Sequence, residues 1–180
     1  PPSFAGTVAA NGDIHVPSTA FNFGTLEFEV DTEIAILGQI QGVIGIEINP
    51  THDVTGNVDP VTGDANLTIR LSIRAYRISG SSLLDVGNNC RIGTQASPIV
   101  LNMNTWTEPV ATSEPGLSLG GIPYDLTTGL VRLADNTFAA PGQSGCSGLA
   151  AGQINGLIGL PSAAGANAAE FELLLDPAPI

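Results

Sequence analysis

The sequence contains no lysine. Its five basic residues are all arginine, they face seventeen aspartates and glutamates, and the formal charge is −12. Without a lysine amine the chain cannot run Schiff-base catalysis, build a lysine-dependent phosphate cradle or close a Lys–Asn isopeptide staple. The negative charge repels nucleic acid and anionic membrane surfaces, so neither is an expected partner. Charge of either sign is scarce: 12% of residues are charged, against roughly 25% in an average soluble domain. Every apolar run is broken by Gly, Gln or Glu before it reaches the ~18 residues of a membrane helix, so no transmembrane segment is expected. No secretory leader is visible at Pro1-Pro2-Ser3-Phe4, and the expectation is that a targeting segment was removed or lies outside this sequence.

Catalytic sets are missing as well. His15 and His52 have no Cys or carboxylate at zinc spacing and read as surface or turn residues. Gly142-Gln143-Ser144 does not complete a Gly-x-Ser-x-Gly elbow, because Gly145 stands one residue too near and Cys146 holds the last position. Glu27, Glu29, Asp31 and Glu33 would lie roughly 6.5 to 7 Å apart on one strand face, a separation that can suit paired acids. Glycosidase acids, however, stand on different strands in aromatic-lined clefts, and this chain has one Trp and two Tyr. The acids read instead as a solvent face paired across strands with Arg70 and Arg74. Asp53, Asn57, Asp59 and Asp64 offer hard oxygen ligands for calcium, but without the Asp-x-Asp-x-Asp-Gly pattern, and a plain hairpin turn is the simpler reading. Asn66-Leu67-Thr68 is a formal glycosylation sequon at a strand start. No enzyme and no cofactor are expected.

What is abundant is turn chemistry and alternation. Gly and Pro supply 22 and 13 residues. From Leu26 to Ile48 the even positions are almost all apolar, the period of strands with one buried face, with a bend or strand switch expected near Asp31 to Glu33 or at Gly38. Asp59-Pro60 and Thr62-Gly63 then predict a hairpin turn into a second alternating run, Ala65 to Ile78, where Leu67, Ile69, Leu71 and Ile73 oppose Thr68, Arg70, Ser72 and Arg74. Further strands are predicted at Thr7 to Ala10, Asp13 to Val16, Pro98 to Asn104, Leu130 to Phe138 and Ala168 to Leu175. Between Ser147 and Gly159 the residues Leu149, Ala150, Ile154, Leu157 and Ile158 predict one short helix after the second cysteine. The two cysteines sit in polar or Gly-rich settings, Asn88-Asn89-Cys90-Arg91 and Ser144-Gly145-Cys146-Ser147, unlike a buried free thiol. One disulfide, Cys90–Cys146, is expected, with two free thiols as the alternative, and it would tie the helix to the segment at Cys90. Such a bond persists in an oxidising compartment. The fold class is therefore all-β, an antiparallel Ig-like or jelly-roll-like β-sandwich forming a single domain over residues 1–180.

The hairpin Thr55-Gly56-Asn57-Val58-Asp59-Pro60-Val61-Thr62-Gly63, the Asn89-Cys90 followed by Ser97-Pro98-Ile99, and Gly145-Cys146 ahead of a helix together resemble secreted actinobacterial β-sandwich domains of unknown function. Those domains are similar also in a short closing strand, here Phe171 to Leu175. The resemblance covers the chain from about residue 20 onward and departs from it in the long connection Thr105 to Pro123. It brings no catalytic residues and implies export to an envelope or extracellular setting.

Together these features predict a non-enzymatic secreted or cell-surface structural or adhesive protein. It would self-assemble, as a homo-oligomer or surface assembly, through sheet edges or apolar termini, with residues 1–10 docking on the domain or exchanging with a neighbour. The alternative is a binding module for an apolar or glycan ligand of the cell envelope, using a pocket under the helix or an exposed platform of Trp106 and Tyr124, although a core Trp is the commoner arrangement.

Overall fold

The structure is a computed structural model that describes residues 3–34, 38–111, 118–125, 127–147, 155 and 159–174. The strands are β1 (Ser3–Phe4), β2 (Thr7–Val8), β3 (Asp13–Val16), β4 (Phe21–Asn22), β5 (Thr25–Ile34), β6 (Gly38–Pro50), β7 (Val54–Val58) and β8 (Ala65–Gly80). After these come β9 (Arg91–Ile92), β10 (Ile99–Asn104), β11 (Val110–Ala111), β12 (Ser118–Leu119), β13 (Leu130–Asp135), β14 (Gln143–Ser144) and β15 (Ala169–Leu174). Among the described residues all the strand pairings are antiparallel.

Among the described residues eleven strands form one curled sheet built around β8. The first part of β8 lies between β7 and β10, in the order β2-β3-β7-β8-β10-β13-β15. Its second part lies between β6 and β9, with β5 outside β6 and β14 outside β9. The predicted long alternating run is a hairpin: Leu26 faces Ile46 and Phe28 faces Ile44. Because each such pair joins two even positions, the apolar row keeps its face through the reversal. Only the coarser part of the sandwich expectation is met: the fold is antiparallel and all-β, with β1–β4 and β11–β12 as two-stranded sheets apart from the curled one.

The core lies on one face of the first half. Odd residues of β8 and β10 (Leu67, Ile69, Leu71, Leu101, Met103) meet Val54, Val131 and Leu133, all buried. Phe4, Phe21, Phe23 and Phe171 pack against this cluster. Phe4 stacks on Phe21 with ring centroids 4.9 Å apart, and Phe21–Phe23 and Phe23–Phe171 are tilted pairs at 4.7 and 5.6 Å; β1 pairs with β4.

Cys90 and Cys146 are disulfide-bonded. The bond lies beside the β9–β14 pair, in which Ser144 faces Arg91, and Ser147 N donates to Val86 O at 2.9 Å. It therefore ties β14 to the second half of the sheet, whereas the closing strand β15 pairs with β13 on the opposite flank. The helix predicted over 147–159 lies outside the described residues except for Ser147, Asn155 and Gly159; of these Asn155 alone is helical. The only other helical turns among the described residues are 3-10 turns at Ser18–Ala20 and Ser82–Leu84. Among the described residues no helix is long and apolar enough to cross a membrane.

Candidate functional site

Alternation turns the even residues of β8 and β10 away from the core. Asn66 stands opposite Asn104 and Thr68 opposite Asn102, a grid of roughly 5 by 7 Å. On the other side of β8, Asn57 faces Asn66 and Thr55 faces Thr68, and beyond them Asp13 and His15 face Asn57 and Thr55. This polar face carries a shallow depression of about 250 Å³ lined by Asn66, Leu67, Thr68, Asn102, Met103, Asn104 and Trp106.

Trp106 is 59% exposed, which overturns the expectation of a core tryptophan. Its position is held from both sides. Thr105 is buried at 3% exposure; its hydroxyl accepts from Ala65 N at 3.0 Å, and its own N donates to Ala65 O at 3.0 Å. The Thr107 hydroxyl lies 2.7 Å from both Asn104 Oδ1 and Ala134 O and donates its single proton to one at a time. A large apolar ring is thus kept in water by flanks that are themselves locked, at the rim of an amide-lined depression. Asn104 Nδ2 donates to Asn102 O at 3.2 Å. The Asn66 amide makes no hydrogen bond among the described residues, so its donors and acceptor remain open to a ligand. Tyr124 does not join this platform: it is half-buried and packs against the core, its N donating to Gly63 O at 2.8 Å.

Beneath the face, Asp135 substitutes for part of a ladder. β10 and β13 share a single register pair, Asn104 with Ala134. The Asp135 carboxylate, 2% exposed, accepts from Asn102 N at 2.7 Å, Thr137 N at 2.7 Å and Thr137 Oγ1 at 2.8 Å. It fixes the strand that presents Asn102 and Asn104. On the far flank Arg132 pairs with Glu172 at 2.8 Å and lies 3.4 Å from Glu170; the Glu172 hydrogen bond holds the guanidinium pKa above its ordinary value.

The calcium candidates are engaged separately. Asp53 accepts from Ser18 N at 2.8 Å and contacts His15 Nε2 at 3.1 Å, and these bonds hold its pKa below the ordinary range. The Asn57 amide reaches Asp13 Oδ1 at 3.3 Å. Asp59 accepts from Val61 N at 2.7 Å and Thr62 N at 3.3 Å, again lowering its pKa, and Asp64 accepts from Thr62 Oγ1 at 3.0 Å. Gly63, at φ +78°, lets this turn close, its N donating to Asp59 O at 2.9 Å. Among the described residues no three His, Cys, Asp or Glu side chains converge where one metal ion could be held.

The expected pairing of the β5 acids with Arg70 and Arg74 is replaced. Arg74 bonds Glu47 at 3.2 Å and lies over the Tyr76 ring at 5.0 Å, because β6 stands between β5 and β8. Among the described residues Glu27 and Glu29 have no ion-pair partner, and Asp31 accepts from Gln39 and Gln41 at 3.1 and 3.2 Å. Compared with family models, with curated proteins and with solved structures, the chain matches none.

Proposed function

We propose that this chain is a non-enzymatic, secreted or cell-surface adhesive module that binds a glycan on the face formed by β7, β8 and β10. Of the two functions expected from the sequence, ligand recognition is favoured over self-assembly. The observation that carries this reading is Trp106, exposed yet held by Thr105 and Thr107 beside Asn66, Thr68, Asn102 and Asn104. An indole presents a flat apolar face to the C–H side of a sugar ring, while amides and hydroxyls at strand spacing match its hydroxyls. Ordering these groups before binding reduces the entropy lost on association. The disulfide is compatible with an oxidising, extracellular setting. Membership among the actinobacterial domains that the chain resembles belongs to the same proposal.

Trp106 is the sole tryptophan, so its fluorescence reports on this face alone. Titration with β-linked gluco-, N-acetylglucosamino-, manno- and galacto-oligosaccharides is expected to give a saturable blue shift with at least one series. Trp106→Ala should remove binding measured by calorimetry, and Asn66→Ala should weaken it by about tenfold, the cost of one or two hydrogen bonds. No binding to any series, or unchanged binding by Trp106→Ala, would refute the reading.

A further inference from the structure

β5 is a ten-residue strand paired on one side only: among the described residues its partner is β6 and nothing pairs with its outer edge. Its register with β6 runs unbroken from Thr25 to Ile34, with no proline and no bulge to blunt the edge. One face carries Leu26 and Phe28, 44% and 52% exposed, next to Ile46 and Ile44. The other face carries Glu27, Glu29 and Asp31, all exposed.

A second copy of β5 fits this edge poorly. In antiparallel pairing, an even register sum sets acid against acid, as Glu29 against Glu29 or Glu27 against Asp31. An odd sum sets the acids against Leu26, Phe28 or Val30 and mixes the two faces. An in-register parallel pairing again opposes like charges. The same pattern is complementary to a strand whose apolar residues alternate with cations; the strand of this chain that carries such an alternation, β8 with Arg70 and Arg74, is already paired on both sides.

We propose that the outer edge of β5 is a docking site for an extended segment of another protein, in which apolar residues alternate with Lys or Arg, added as one further antiparallel strand. Its apolar side chains would cover Leu26 and Phe28, and its cations would face Glu27, Glu29 and Asp31. The test uses the intact chain and three ten-residue probes: alternating Val-Lys, a block peptide of the same composition (five Val, then five Lys), and alternating Val-Glu. The Val-Lys probe should bind, with hydrogen-exchange protection confined to Thr25–Ile34 and adjoining β6, and the block and Val-Glu probes should bind at least about tenfold more weakly. Glu27→Lys with Glu29→Lys should reverse the preference toward Val-Glu, which separates a binding change from a folding defect. Equal binding of the alternating and block cationic peptides, protection elsewhere, or a neutral-pH homodimer protected at β5 would overturn the proposal.

Discussion

Removing the Asp135 carboxylate tests how the polar face is held. Asp135→Ala leaves two backbone donors, Asn102 N and Thr137 N, without their acceptor inside a site that is 2% exposed. Each hydrogen bond to a charged group contributes about 1.5 to 3 kcal/mol, and the Thr137 hydroxyl can turn elsewhere, so the expected loss is about 4 kcal/mol. Against a domain stability of about 5 to 15 kcal/mol, that moves the urea midpoint far without abolishing folding in every case. Asp135→Asn keeps the shape and one acceptor oxygen and should cost about 2 kcal/mol. Urea melts followed by far-ultraviolet circular dichroism give the two values, and hydrogen exchange at the Asn102 amide shows whether the defect begins at β10. A loss below about 1 kcal/mol for the alanine variant, or an unchanged Asn102 amide, would refute the assignment of Asp135 as the bridge between β10 and β13.

Three further outcomes are expected. Cys90→Ser with Cys146→Ser opens a link across a sequence separation of 56 and should cost about 4 kcal/mol in the chain-entropy account. The lost exchange protection should concentrate in β9, β14 and the segment around Val86, and early loss in β15 would contradict this placement. At Gly45 a Cβ would stand 2.7 Å from Tyr76 Cζ, the outer end of a half-buried side chain that can swing aside, so Gly45→Ala should destabilise by about 1 kcal/mol. Tyr76→Ala should remove most of that penalty in a double-mutant cycle, and strict additivity would sink the contact. Asp53, Asp59 and Asp125 have folded pKa values depressed chiefly by backbone N–H bonds. Their stabilisation is fully present above the unfolded aspartate value of ~3.9 and fades as pH falls through the lower folded values. Acid titration of the urea midpoint should therefore be flat from neutral pH to about 5 and fall below about 4, less steeply for Asp59→Asn.

Much of the fold was legible in the alternation. The predicted strand Asp13 to Val16 has the observed bounds, that at Pro98 to Asn104 is within a residue at either end, and that at Ala168 to Leu175 starts within a residue, its last residue lying outside the described ones. Their apolar rows face one way, and burying such a row requires the strand. Strand order was less legible, because many orders bury the same rows. Hence the alternation alone pairs Arg74 with the acids of β5, whereas Glu47 of the intervening β6 is its partner. In the alternation Asp135 is an ordinary member of a strand running to Phe138, because a side chain that replaces a backbone rung leaves no periodic trace. A lone tryptophan is more often a core residue, and the signal for the exposure of Trp106 lies in the threonines flanking it. Thr105 and Thr107 bracket it symmetrically, and such hydroxyls commonly lock loops to backbone. The disulfide was legible from the polar surroundings of both cysteines, but which part of the sheet it ties was not.

The shared central strand has a mechanical consequence. β8 runs sixteen residues, roughly 50 Å at strand rise, with Asn66 and Thr68 near one end and the ladder leading to β6 and β5 at the other. A pull between an immobilised glycan and a tether at the β5 edge would travel lengthwise through β8. The rungs joining β8 to its neighbours would then be sheared together instead of unzipped one by one, the loading geometry in which an antiparallel sheet resists force best.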